Sequence, residues 1–292
     1  MIIAAVSGGP DSMAMLDKYK NDISAVCHIN YNKRPTALRD EEIVNNYCKL
    51  NHIKCFTLFC SKEVYASYKS EINFQSKARK IRYDFFVKTA KELGADTLYI
   101  AHNKDDFVET AIMQMNKKSK SLFYGIAKDG AYHDLLIKRP LINIRKQSLE
   151  NYCISNHIPY GIDESNLTDL YTRNIIRKKI KKMSNDEFKK VLKEIADYNK
   201  ANSSLRLRVK KAYKTWEKNS FSVSWYKKLD KEIKTFVIYE FLVSHELSNP
   251  NFNKQNDIAN FVCSPKGNVK YRLGNGDLLL KTNVITIEYG KK

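Results

Sequence analysis

Hydrophobic and polar positions along the first hundred residues sort into two periodicities. Short apolar runs at Ile2–Val6, Ser24–Ile29, Ile53–Phe59 and Thr97–Ala101 read as strands. Amphipathic stretches with helical spacing separate them, the longest from about Phe74 to Leu93. Strands alternating with helices predict an α/β fold, a parallel sheet flanked by helices. Ligands of such sheets bind beyond the carboxyl ends of strands. That rule selects three loops: Ser7–Ser12, His28–Arg34 and His102–Glu109.

The pattern changes further on. A polar loop holding Lys117, Lys118 and Lys120 runs to Gly125, and its length and polarity suggest mobility. Arg139-Pro140-Leu141 leads into a helix from about Lys146 to Asn156, followed by polar, turn-like residues at Asp163–Asn166. Near Ser184 the chain becomes Lys-rich and helical, over roughly Asp186–Trp216 and Ser224–His245. Three short runs, Asn268–Leu273, Asp277–Lys281 and Val284–Tyr289, then alternate with turn residues and read as a β meander. The expected division is a catalytic α/β domain at 1–183 and a smaller helical plus β-rich domain at 184–292.

Composition adds three constraints. With 292 residues and 43% hydrophobic content, each domain can bury a core. No run approaches the ~20 apolar residues of a membrane span. Because the first strand begins at Ile2, a leader has nowhere to fit, and a cytoplasmic protein with no membrane partner is expected. The six cysteines include no Cys-x-x-Cys pair and read as core thiols. Charge is the strongest of the three: 51 Lys+Arg against 32 Asp+Glu gives +19. Such an excess costs self-repulsion and points to a polyanionic partner, the alternative being a Lys-rich proteome bias.

Chemistry concentrates in the selected loops. In Ser7-Gly8-Gly9-Pro10-Asp11-Ser12 an apolar strand stops at two glycines and a helix begins. The first helical turn offers unpaired N–H groups and the positive end of its dipole, which suits phosphate. Ser7 and Ser12 can add hydroxyl donors, and Asp11 reads as a Mg²⁺ ligand or as a helix cap. The loop ends in no Gly-Lys-Ser/Thr, and a ligand-free turn is the alternative. Arg79 and Arg82 share a helix face and could bind carboxylate or phosphate, or be a solvated basic face. Asp106 and Glu109, three apart at a helix start, could bind Mg²⁺, hold an ammonium group or offset the dipole. His102 could serve as a base or pack. The cationic run Arg177–Lys182 reads first as a solvated face.

Ser-Gly-Gly-x-Asp-Ser resembles the PP-loop of the N-type ATP pyrophosphatases, whose fold is Rossmann-like, of the adenine nucleotide alpha hydrolase kind. The ordered set Ser7–Ser12, His28–Arg34, Gln75–Tyr83, Ala101–Thr110, Arg139-Pro140-Leu141 and Asp163–Arg177 is similar to that of tRNA(Ile)-lysidine synthetases. The resemblance implies a ligase that uses ATP and Mg²⁺ to join free L-lysine to C2 of cytidine 34 in tRNA-Ile with a CAU anticodon. An adenylated cytidine is the implied intermediate, with pyrophosphate and then AMP leaving. It further implies that Ser7, Gly8, Gly9, Pro10, Asp11 and Ser12 hold ATP, with Asp11 on the metal, and that Arg82, Asp106 and Glu109 bind lysine. His102 becomes a candidate base for the amine. Arg34, Lys117, Lys118, Lys120, Arg173, Arg177, Lys178, Lys179, Lys181 and Lys182 become candidate tRNA contacts, as does the C-terminal domain. The chain departs from the family pattern at Tyr31, Lys77, Asn103 and Phe107. A tRNA thiolase would call for paired cysteines, an amidating synthetase gives +19 no purpose, and an RNA-binding module without turnover leaves Asp11, Asp106 and Glu109 unexplained.

Overall fold

The four expected strands lie side by side and parallel in the computed structural model: β1 (Ile2–Ala5), β2 (Ile23–Asn30), β3 (Lys54–Phe59) and β4 (Thr97–Ile100). The structure describes residues 1–33, 35–68, 74–116, 120–162, 172–245 (Thr172 by its backbone), 247, 251–264, 268–273, 276–281 and 283–289. Two compact units divide the chain, Met1–Met113 with Gly125–Phe188 and Gln114–Tyr124 with Lys189–Lys292.

In the first unit, helices α1 (Pro10–Lys18), α2 (Ala37–Leu50), α3 (Lys62–Ser67), α4 (Phe74–Leu93) and α5 (Lys104–Asn116, which continues into the second unit) link or follow the strands. Side chains alternate across the sheet, as the pleat requires. Ala4 and Val26 bury one way with Met13, Val44 and Leu149, while Ile3, Ala25 and Cys27 bury the other way with Tyr83 and Phe86 of α4. Both faces of β1 are therefore sealed, which is why its sequence is a continuous apolar run rather than an alternating one.

Two further strands escape the apolar pattern, β5 (Asp129–Tyr132) and β6 (Leu135–Lys138). β5 opens with Asp129-Gly130 and shows no strand signature, while the apolar part of β6 is only Leu135-Leu136-Ile137, a run too short to stand out from its surroundings. They extend the sheet to the order β3-β2-β1-β4-β6-β5, with β5 antiparallel at the edge. Helices α6 (Lys146–Ser155) and α7 (Thr172–Lys182) complete this unit.

The order places a topological switch between β1 and β4: the chain leaves β1 toward β2 and β3, then returns on its other side. Ala5 pairs with Ile100, so the loops after both strands leave the sheet at one level. Ligand crevices of open α/β sheets form at such a point.

In the second unit, α8 (Asn185–Ala201, whose first turn belongs to the first unit), α9 (Ser203–Lys218), α10 (Val223–Lys227), α11 (Lys231–Ser244) and α12 (Phe252–Cys263) precede an antiparallel sheet of β7 (Val269–Leu273), β8 (Gly276–Lys281) and β9 (Val284–Glu288). The meander is as the alternation suggests. The two long helical stretches are each divided, the first at Asn202, whose side-chain amide donates to the Tyr198 carbonyl at 2.9 Å. Trp216, Tyr226 and Phe241 centre the core. Residues 121–124 are held here rather than loose. Asn199 brackets Tyr124, accepting from its N–H at 2.8 Å and donating to its carbonyl at 2.9 Å, while Tyr198 stacks on the Tyr124 ring at 4.1 Å.

Candidate active site

The loop after β1 is bent at Gly8, whose φ of +88° is left-handed and favours glycine. Gly9 caps α1 without a side-chain bond, and Pro10 occupies the first helical turn. The N–H groups of that turn are thereby left to a ligand. Both serines close the loop from within. Ser12 Oγ accepts from the Ser7 N–H at 3.1 Å and donates to the Gly9 carbonyl at 2.9 Å, and the two hydroxyls lie 3.2 Å apart. Their first task is to shape the cradle.

Asp11 is the exception in this satisfied loop. Its Oδ1 is buried and has no hydrogen-bond partner among the described residues. Burial pushes its carboxyl up to about 6; Lys146 pulls against the rise, and the charge of Asp106 adds to it. A capping role would have supplied a bond to a helical N–H. A buried carboxylate oxygen without a partner among the described residues, beside an anion cradle, could instead hold a divalent cation, since Mg²⁺ takes one or two protein carboxylates.

Across the switch point, α5 begins with a reciprocal cap. Asn103 N–H donates to Asp106 Oδ2 at 3.0 Å, and Asp106 N–H donates to Asn103 Oδ1 at 2.9 Å. Asp105, its neighbour in sequence, points elsewhere: it accepts twice from Arg145 Nε at 3.1 Å and from the Lys146 N–H at 2.7 Å, fastening the start of α6. Arg145 itself lies over the Phe188 ring, 3.6 Å from its centroid.

Glu109 is 1% exposed and is paired twice. Arg177 Nε donates to its Oε2 at 2.6 Å, and Arg173 Nε donates to its Oε1. The two arginines stand one turn apart on α7, with Asn174, Ile176 and Ile180 of the same helix buried. Arg177 also reaches toward Asp106 Oδ1, at 3.8 Å. Arg173 and Arg177, expected as RNA contacts, are thus counter-ions of Glu109 in this arrangement.

His102 accepts at Nδ1 from Arg139 Nε at 3.0 Å, so its remaining proton sits on Nε2. Burial lowers its pKa to about 4, with Arg139, Arg82 and Arg173 adding to the fall against Asp106. A neutral imidazole with its lone pair engaged is a donor, not a strong base. Arg139 is anchored in turn by its Nη1 on the Ala127 carbonyl at 2.8 Å. It follows β6 directly, and the sequence alone gives it no role beyond its place in the motif Arg139-Pro140-Leu141. Lys146 and Asn103 were missed too; their positions at helix starts beside the selected loops were the available signal.

Arg82 is half-buried, near enough to His102 and Tyr31 to act on both electrostatically, and makes no hydrogen bond or ion pair among the described residues. Arg79 lies over the Tyr83 ring at 4.6 Å. Lys178, Lys179, Lys181 and Lys182 are exposed on α7. Lys120 belongs to the second unit, its Nζ 4.6 Å from the centroid of Phe252. Arg34, Lys117 and Lys118 lie outside the described residues. All six cysteines are free, and no helix among the described residues is long and apolar enough to cross a membrane.

The chain is similar to known proteins in sequence and in fold. The PP-loop domain family matches residues 1–184. The chain is 44% identical over 252 residues to the tRNA(Ile)-lysidine synthase of Ureaplasma parvum serovar 3, covering 86% of this chain and 76% of that protein. It is 40% identical to that of Malacoplasma penetrans over 93% of this chain and 92% of the relative, and 37% identical to that of Mycoplasma genitalium over 96% and 94%. Among solved structures, the U34-tRNA thiolase NcsA from Methanococcus maripaludis aligns with a TM-score of 0.56 over 69% of this chain and 72% of that one, at 16% identity, a likeness of fold. With a PP-loop at the switch point and relatives matched over nearly their whole length, the chain belongs to the tRNA(Ile)-lysidine synthase family of PP-loop ligases.

Proposed function

We propose that this protein forms lysidine in tRNA(Ile) by joining the ε-amine of lysine to C2 of cytidine 34 in a CAU anticodon, using ATP. The observation that carries the reading is the buried Asp11 Oδ1, without a hydrogen-bond partner among the described residues, set beside an uncapped helix start and near the charges of Asp106 and Lys146. In the first step the C2 carbonyl oxygen attacks the α-phosphorus, the bond to pyrophosphate breaks, and an adenylated base results. In the second the amine attacks C2, the carbon–oxygen bond breaks and AMP leaves, while the amine nitrogen loses a proton.

Asp11 would hold Mg²⁺, which when bound offsets charge on the departing pyrophosphate. The Gly9–Ser12 backbone serves the same oxygens through fixed donors, a form of stabilisation that needs no reorganisation during reaction. Glu109 and Asp106 offer negative charge to the substrate's ammonium, and Arg82, unpaired among the described residues, offers a fork to its carboxylate. Arg173 and Arg177 keep Glu109 neutralised until that ammonium arrives. His102 is assigned as an Nε2–H donor rather than as the base. Exposed cations on α7 supply attraction for the polyanionic RNA.

The test is one assay with ATP, Mg²⁺, radiolabelled lysine and transcripts of isoleucine and methionine tRNAs that share the CAU anticodon. Label should enter only the isoleucine transcript, and only with ATP. No labelled RNA under any condition refutes the reading.

A further inference from the structure

Residues outside the loop set the direction of its donors. The Gly8 carbonyl accepts from the Gly161 N–H at 2.8 Å. Carbonyl and N–H point to opposite sides of a trans peptide, so this bond turns the Gly9 N–H the other way, toward Ser7 Oγ. There, among the described residues, it finds only a long contact of 3.5 Å, which leaves it available to a ligand oxygen.

Gly161 is held in place by the start of α2. Arg39 donates to Asp40 Oδ1 from Nε at 3.0 Å and from Nη2 at 2.7 Å, and the same Nη2 donates to the Ile162 carbonyl at 3.1 Å. Asp40 is 7% exposed. A Cβ at Gly161 would overlap Asp40 Oδ1 and come within 2.8 Å of Arg39 Nη2. From the other side, a Cβ at Gly8 would lie 2.9 Å from the Asp40 carbonyl oxygen. Both glycines therefore close on one residue, which neither touches substrate chemistry nor faces solvent.

We propose that Arg39, Asp40 and Gly161 form a latch that positions the Gly8–Gly9 peptide, and with it the Gly9 N–H, for the pyrophosphate of ATP. The inference rests on the reading of Ser7–Ser12 as the pyrophosphate cradle. Arg39 and Asp40 are positioning residues: their effect reaches the ligand through one backbone hydrogen bond. A latch of this kind predicts a loss confined to nucleotide, because lysine is bound by groups on α4 and α5.

The test uses full-length protein with Arg39→Gln, which removes the fork and adds no bulk, and Gly161→Ala, which forces Asp40 aside. Isothermal titration with Mg²⁺–pyrophosphate should show binding weakened about tenfold or more in both. In the lysidine assay the KM for ATP should rise by a like factor, with the KM for lysine held within about twofold. Arg39→Lys, which keeps a donor beside Asp40, should recover part of the loss. Unchanged pyrophosphate affinity, or equal rises in the KM for ATP and for lysine, overturns the latch. If wild-type protein makes no lysidine but binds pyrophosphate in a latch-dependent way, the proposed reaction fails and the latch stands.

Discussion

Asp11→Asn separates the stability of the cradle from its use. The carboxyl rises from 3.8 to about 6 on folding, chiefly through burial. At 1.36 kcal/mol per pKa unit, keeping Asp11 ionised in the folded protein costs about 3 kcal/mol. The helix dipole returns only about 0.3–1 kcal/mol, so burial wins. The folded-state pKa lies above the unfolded value, so below about pH 4 both states hold the proton and nothing is lost. Stability then falls as pH rises through the window from about 4 to 6, and the full cost applies above it.

Asparagine cannot ionise and escapes this decline. It carries its own smaller cost. The Asn103 side chain stabilises the Asp11 carboxylate and its own oxygen is engaged by the Asp106 N–H, so the new amide is expected to turn its oxygen toward Asn103 and leave its NH₂ at the position of Oδ1, which has no partner among the described residues. An unsatisfied donor there costs about 1 kcal/mol. The variant should be less stable than wild type by about 1 kcal/mol at about pH 3 and more stable by about 2 kcal/mol at about pH 7.5. As melting temperatures without nucleotide or metal, the difference should swing by roughly 6 °C or more between the two pH values. Calorimetry at both decides it. An offset of the same sign and size at both pH values refutes the argument, as does lysidine formation by the variant at the wild-type rate.

Arg139→Gln should raise the His102 pKa from about 4 and release the tautomer, because a cation and the Nδ1 donor both disappear; ¹⁵N chemical shifts of the imidazole against pH report this. Asn199→Ala should speed hydrogen exchange of the Tyr124 amide by about tenfold, the worth of a pair of lost hydrogen bonds, without touching lysine use. Arg173→Gln should lower the KM for lysine, since one competitor for Glu109 is gone, and a raised KM would show that Arg173 helps to build the lysine site.

The sheet and its phosphate loop were legible because their signals are strong and local. An apolar run ending at two glycines has few other readings, and α4 spans Phe74–Leu93, as its periodicity indicates. The β5–β6 hairpin was not legible: its strands are four residues long, one of them poor in β-formers, and they are held by pairing, β6 with β4 and β5 with β6, rather than by propensity. On α7 the information was present but outweighed, for Ile176 and Ile180 mark a buried stripe inside what reads as a basic run. Side-chain direction within one helical turn was beyond reach, since nothing in Asp105-Asp106 says that the first fastens α6 and the second caps its own helix.

That difference in direction bears on how a lysine could be received. A carboxylate as buried as Glu109 cannot stand alone in the folded protein, because removing one partner of a buried pair costs several kcal/mol. A site built only for an ammonium would carry that cost whenever lysine is absent. Arg173 and Arg177 remove the difficulty. Their side chains are 47% and 40% exposed, so returning one of them to water forfeits little. On the proposed reading the exchange replaces one cation by another and leaves the net charge beside Glu109 unchanged. Asp106, with one oxygen committed to the helix cap and the other 3.8 Å from Arg177, can follow the incoming charge without releasing α5. On the same reading Arg82, which makes no ion pair among the described residues, takes the carboxylate at the other end of the substrate.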